Sequence, residues 1–242
     1  MDGPAPGGRP PAARGGLTPA AWTALAASAA FALLTLWVIL AASGPLPFDT
    51  GPHAWSLAHR PPAALDVARA VTATGTGVWP YALVVLAGLY AGRTTRERIA
   101  AAAGLALCLA LGQGVRRALM ELIARPRPPA ADWATRATDL SFPSGHATTG
   151  ALAAGLLLAA LALHGSLGPA GTAVAALTVL WGAAVGLSRV YLGVHWPSDV
   201  LGGWLLATAW VAGALLVHRS YRRRPAPAGP PGPSGGSGPD RP

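Results

Sequence analysis

Long apolar runs separated by short polar breaks dominate this chain, and they predict helices that cross a bilayer. The first run, residues 20–43, is 24 residues long and carries no charge. About 20 apolar residues are enough to span the hydrocarbon core as helix. Comparable runs follow at 70–92, 147–163, 170–187 and 200–217. Another begins near Ile99, stays apolar to Val115 and continues through Arg116, Arg117 and Glu121 towards Ala124. The cluster Arg125-Pro126-Arg127-Pro128-Pro129 must end it, because proline has no N–H to donate and clashes with the preceding turn. The pattern predicts an all-α polytopic membrane protein, with six transmembrane helices forming a single helical bundle domain over residues 20–218. Residues 1–19 and the basic, then Pro/Gly-rich residues 219–242 are expected to be disordered tails. Residues 44–69 are expected to be a polar, proline-punctuated connection, and its His53, His59 and Arg60 receive no role.

Composition sharpens this reading. The chain is 52% hydrophobic and 11% charged, against about 25% charged in a soluble domain. Its net charge of +9 is carried wholly by arginine, since no lysine occurs. The arginines sit between apolar runs, so lipid headgroups rather than nucleic acid are the expected anionic partner. Cys108 is the only cysteine, which excludes a disulfide framework and a thiolate metal site. The first apolar run exceeds the roughly 7–15 residues of a signal-peptide core and reads as an uncleaved span, although Ala-Ala-Ser before Gly44 leaves cleavage open. Arginine-rich tails and the loop of Arg93, Arg96 and Arg98 place both termini in the cytoplasm of a plasma-membrane protein. Counting spans from there puts segments 125–146 and 188–199 together on the outer face.

Those two segments hold the chemistry. Ser188-Arg189 is followed after five residues by His195 and after three more by Asp199. A neutral imidazole can attack phosphorus when a partner on its other nitrogen fixes the tautomer. Asp199, in the first turn of a helix starting near Pro197, is in reach to be that partner. Upstream, Pro143-Ser144-Gly145-His146 stands where a span begins. Free N–H groups and the dipole make a helix start a phosphate cradle. Ser144 can cap that helix and donate to phosphate, Gly145 permits close backbone approach, and His146 suits a general acid. Arg127 and Arg189 offer planar forks for phosphate oxygens, with Arg125 a further member or an interfacial residue. Polar residues at membrane depth are costly and usually functional.

Residues 120–199 resemble the type 2 phosphatidic acid phosphatase superfamily of integral membrane lipid phosphatases. That pattern reads Lys, six residues, Arg-Pro; then Pro-Ser-Gly-His; then Ser-Arg, five residues, His, three residues, Asp. The second and third parts match at every specified position. The first departs: Met120 occupies the lysine position ahead of Arg127-Pro128. Arg116 and Arg117 lie four and three residues earlier, about one turn away on the same face, and with Arg125 they are the candidate substitutes. The resemblance implies a metal-independent, cofactor-free reaction on a membrane lipid phosphate. His195 attacks to give a phosphohistidine, His146 protonates the leaving group, and Arg127, Ser144, Gly145 and Arg189 bind the phosphate.

Undecaprenyl diphosphate is the favoured substrate on this reading, with phosphatidic acid and phosphatidylglycerol phosphate as alternatives. Two further readings differ in class. A phosphotransferase of the same fold would pass the phosphoryl group to an alcohol. A non-catalytic lipid-binding protein is suggested by Met120 alone, against the intact His146, Arg189, His195 and Asp199.

Overall fold

The structure, a computed structural model, describes residues 17–138, 140–165 and 168–222, and the described residues contain helices but no strand. Of the expected tails at 1–19 and 219–242, residues 1–16 and 223–242 lie outside the described residues, while Pro19 and residues 219–222 are helical, a correction to those bounds. In chain order the helices are α1 (Pro19–Leu40), α2 (Pro47–Ala58), α3 (Pro62–Ala73), α4 (Val78–Ala91), α5 (Thr95–Ile123), α6 (Gly145–His164), α7 (Pro169–Tyr191) and α8 (Pro197–Arg222). A 3-10 turn occupies Ala130–Asp132. Five helices are long and apolar enough to cross a membrane, and α3 with α4 forms a sixth candidate span, bent by 52°.

Local chemistry sets the ends. Thr18 caps α1 by accepting the Ala21 N–H, with Pro19 in the first turn where its missing donor costs nothing. α5 begins at Thr95, four residues before the expected Ile99. Thr94 and Glu97 form a reciprocal capping box there: the Glu97 N–H donates to Thr94 Oγ1 at 3.2 Å, and Glu97 Oε2 accepts the Thr94 N–H at 3.2 Å. It stops at Ala124, in left-handed backbone, directly before Arg125-Pro126.

Two expectations need correction. Residues 44–69 are largely helical: α2 and α3 pack on α7, and α2 also on α8, so the segment is part of the fold at the site end. The second span is not continuous over 70–92. It breaks after Ala73, where Gly77 adopts φ +68° and the Gly75 Cα lies against the Val185 side chain, too close for any Cβ. Two smaller differences matter for the site. Ser188 and Arg189 lie in the last turns of α7 rather than in a loop, and α8 runs on to Arg222.

α6 is the central helix, packing against α4, α5, α7 and α8, while α1 packs along α8. Leu109, Leu152, Leu156, Ala207 and Val211 form the largest apolar cluster, and the outward faces carry exposed Leu33, Leu86, Leu107, Leu177 and Leu180. Such all-round apolarity suits a lipid solvent. Close approach of α8 to the start of α6 depends on Gly203. A Cβ there would meet Ser144 O at 3.0 Å and Thr148 Oγ1 at 2.9 Å. Small residues at this crossing let the Ser144 N–H donate to the Asp199 carbonyl at 3.0 Å, joining the two motif segments.

Candidate active site

All the chemistry-bearing segments meet at one end of the bundle: the end of α5, the start of α6, the end of α7 and the start of α8. His195 lies in the short turn between α7 and α8 and is 2% exposed. That turn requires Gly193, which has φ +74° and whose Cα faces the Asp132 carbonyl. α2 covers it from outside. His53, paired with Asp132 at 3.0 Å, packs against Trp196 with ring centroids 4.9 Å apart, and Arg60 donates to Asp132 O at 2.7 Å.

The two ring nitrogens of His195 are distinguished by their neighbours. Nη1 of Arg127 lies 2.8 Å from Nε2, and a guanidinium can only donate. Nε2 therefore carries the lone pair, and the proton sits on Nδ1, which donates to Asp199 Oδ2 at 3.3 Å. The same carboxylate oxygen accepts the Trp196 N–H at 2.8 Å and the Ser141 hydroxyl. Burial is the main influence on the imidazole, and the charges of Arg127 and Arg189 add to it. Together they outweigh Asp199 and push the His195 pKa down to about 4. The ring is thus neutral at physiological pH.

Ser144 is the residue preceding α6, yet its hydroxyl does not cap the helix. Ser144 Oγ is buried and has no hydrogen-bond partner among the described residues, and the same holds for Arg189 Nε. Arg189 is otherwise anchored by donation from Nη1 to Thr72 Oγ1 at 3.0 Å. A buried polar atom without a partner is costly, and these two belong to Ser144 before α6 and to Arg189 in the last turn of α7. His146 follows on the first turn of α6, half-buried, within the fields of Arg189, His195, Arg127 and Arg116.

The candidates for the missing lysine separate cleanly. Arg116 donates from Nη1 to the sulfur of buried Met120 at 3.0 Å. Its Cζ and Nη1 both lie 3.5 Å from the place a Cβ on Gly145 would take. Its guanidinium therefore covers the helix start. Arg117 is exposed and pairs with Glu121 at 2.9 Å. Arg125 is 0% exposed, and its hydrogen bonds run to Ser43 O, Gly44 O, Asp49, Ser198 and Asp199. Burial behind Asp199, not headgroup contact, is its place.

Sequence reasoning missed Asp49, Thr72, Ser141 and Ser198, and it left His53 without a place. Asp49 carried a signal: a carboxylate two residues into a Pro-started segment, between Phe48 and Thr50, in a chain poor in charge. The others have none, since serine and threonine are tolerated at any helix end.

The fold and site define a polytopic helical membrane protein with a histidine–carboxylate pair and several arginines gathered at one end of the bundle. The profile of the PAP2 superfamily matches residues 101–223, just over half of the chain. The chain belongs to that superfamily. It is 32% identical over 152 residues to phosphatidylglycerophosphatase B of Bacillus subtilis, covering 61% of this chain and 71% of that one. To the undecaprenyl-diphosphatase of Sulfolobus acidocaldarius it is 42% identical over 78 residues, 31% of this chain and about a third (32%) of that relative's length. The crystal structure of a transmembrane PAP2-type phosphatidylglycerolphosphate phosphatase from Bacillus subtilis superposes with a TM-score of 0.68. It is 24% identical, and the alignment covers 84% of this chain and 98% of that one, a likeness of fold.

Proposed function

We propose that this chain is a metal-independent phosphatase for an isoprenoid diphosphate such as undecaprenyl diphosphate, working through a phosphohistidine on the outer face of the plasma membrane. Phosphatase is the activity by which its relatives are named. The observation that carries the mechanism is the fixed tautomer of His195, whose Nε2 lone pair points to the guanidinium of Arg127.

The terminal phosphate binds among Arg116, Arg127, Arg189, the Ser144 hydroxyl and the free N–H groups after Gly145. Nε2 of His195 attacks phosphorus and the bond to the leaving oxygen breaks. His146 gives that oxygen its proton, so the lipid monophosphate departs while the imidazole, still holding its Nδ1 proton, becomes cationic against Asp199. Neutral again as a base, His146 takes a proton from water, which attacks phosphorus and releases inorganic phosphate. The likeness to an undecaprenyl-diphosphatase, 42% identical over the matched segment, supports a diphosphate as the substrate.

The outward orientation draws on where the arginines stand. Arg93, Arg96, Arg98, Arg219 and Arg222 lie at the end of the bundle away from the site. At the site end Arg60, Arg69, Arg125, Arg127 and Arg189 are tied into hydrogen bonds with the protein, so they weigh little as topogenic charge. Impermeant thiol labelling of single cysteines placed at Arg96 and at Arg136, in a Cys108→Ala background, tests it. Labelling at 136 alone in intact cells is expected; labelling at 96 alone reverses the orientation.

The deciding experiment is phosphate release by the purified, detergent-solubilised protein in EDTA, beside His195→Ala. Undecaprenyl diphosphate, phosphatidic acid and phosphatidylglycerol phosphate are compared in parallel. Release from the diphosphate that survives EDTA and vanishes in the variant is expected. Loss of release in EDTA overturns metal independence. Phosphoryl transfer to an added alcohol in place of release moves the assignment to a phosphotransferase.

A further inference from the structure

α2 brings a fully buried carboxylate, Asp49, to the back of the site. Its Oδ1 accepts the Ser198 N–H at 2.8 Å. Its Oδ2 accepts the Leu46 N–H at 2.8 Å, the Ser198 hydroxyl at 2.7 Å and Nη2 of Arg125 at 3.0 Å. Arg125 in turn donates from Nη1 to Ser198 Oγ at 2.6 Å and to Asp199 Oδ1 at 2.7 Å. The other oxygen of Asp199 faces His195. Asp49, Arg125, Ser198 and Asp199 are all 0% exposed, and none of the first three is a matched position of the superfamily pattern.

The formal charges explain why a second carboxylate is useful. Arg125 with Asp199 alone makes a neutral pair, and a carboxylate so neutralised does little for an imidazole that turns cationic as Nε2 attacks. Asp49 takes up half of the Arg125 fork and leaves the buried group with one net negative charge facing His195. In a water-excluded site such a charge acts at nearly full strength and needs no reorganisation during reaction. An unbalanced buried charge is costly at rest, and Arg127 and Arg189 on the other side of the ring offset it.

We propose that Asp49 is a positioning residue for the reaction: through Arg125 and Ser198 it holds Asp199 in place and keeps its negative charge available to His195. The proposal rests on the phosphohistidine reading above. A merely architectural ion pair tying α2 to α8 predicts something different, namely lost stability with an unchanged turnover number and pH profile.

The test compares full-length wild type, Asp49→Asn and Asp49→Glu for kcat, KM, phosphoenzyme formation and thermal midpoint. Asp49→Asn is expected to lower kcat and the rate of phosphoenzyme formation about 10- to 100-fold, the usual range for an outer-shell partner, with little change in KM. Its acid limb shifts to lower pH, because one less negative charge disfavours the imidazolium. The other charged or titratable groups facing His195 are Asp199 on α8, Arg189 on α7, His146 on α6 and Arg127 on the α5–α6 segment, and all remain in the variant. Asp49→Glu restores the charge and is expected to keep kcat and acid limb close to wild type. A wild-type kcat in Asp49→Asn overturns the proposal. If Asp49→Asn does not fold, Ser198→Ala, which breaks part of the same link to Asp199, replaces it: a clear fall in kcat with little change in KM supports the proposal, and a wild-type kcat overturns it. Absence of phosphate release by the wild type, or its persistence in His195→Ala, defeats the phosphohistidine reading itself.

Discussion

Arg116 lies one helical turn before Met120, donates to its sulfur at 3.0 Å, and so lays its guanidinium over Gly145. The thioether is a weak acceptor with no charge of its own, so it orients the guanidinium without neutralising it. Where the superfamily pattern has a lysine, this chain has Met120, and the guanidinium of Arg116 from the turn below lies over Gly145.

Arg116→Ala is therefore expected to lower kcat/KM about 10- to 100-fold, the equivalent of losing one charged hydrogen bond of roughly 1.5–3 kcal/mol. Arg117→Ala, which breaks only an exposed pair with Glu121, is expected to leave kcat/KM unchanged. Adding Met120→Lys to Arg116→Ala is expected to restore part of the loss. Steady-state kinetics on the diphosphate substrate checks all three, and equal losses from Arg116→Ala and Arg117→Ala would remove Arg116 from the site.

Ser144→Ala separates binding from stability. The hydroxyl is buried without a partner among the described residues, so its removal forfeits no hydrogen bond within the fold. The thermal midpoint is expected to hold or rise, because an unpaired buried polar group costs about 1–3 kcal/mol. Affinity for orthovanadate, a mimic of the phosphorus centre under attack, is expected to fall. A lowered midpoint with unchanged vanadate affinity would assign Ser144 a structural role instead.

Asp199→Asn keeps the shape of the side chain but not its charge. Nδ1 of His195 then faces a weaker acceptor, and the cationic imidazole formed by attack loses its counter-charge. A fall in kcat of roughly 10²- to 10⁴-fold is expected, as for other His–Asp pairs. Rapid-quench measurement of phosphoenzyme formation should show the loss in that step; a normal rate there with slow turnover would place the effect in hydrolysis.

The pH profile follows from burial. On the proposed phosphohistidine mechanism attack requires neutral His195, and its pKa is pushed below the ordinary 6.5 to about 4. As pH falls the nucleophile stays competent through pH 6 and is lost only as pH approaches about 4. After correction for ionisation of the substrate phosphate, kcat/KM is expected to show no enzyme group near pH 6.5 that must be deprotonated. An acid limb at 6.5 would mean that solvent reaches the ring.

Much of this molecule is determined by local pattern. Apolar run length gave the long spans α1 and α5 to α8, since a bilayer demands about 20 residues per span whatever the neighbours are, but it gave neither α2 nor α3. Arg125-Pro126 ended α5 and Pro197 opened α8, because proline acts through its own ring and missing donor. The i, i+4 relation of His195 to Asp199 needed only that α8 begin where it does. What tertiary structure decided were relations between distant segments. Among Arg116, Arg117 and Arg125, spacing offered three cations, and only packing turned the first towards Gly145, the second outward and the third behind Asp199. The second span breaks at Gly75 and Gly77, and Gly75 packs against Val185 of α7, a neighbour that nothing between residues 70 and 92 encodes. Asp49 reads as one acid in a connecting segment until α2 docks on α8, 149 residues away from its partner Ser198. A buried charge is tolerable only with its partners in place, and those partners exist only in the folded chain.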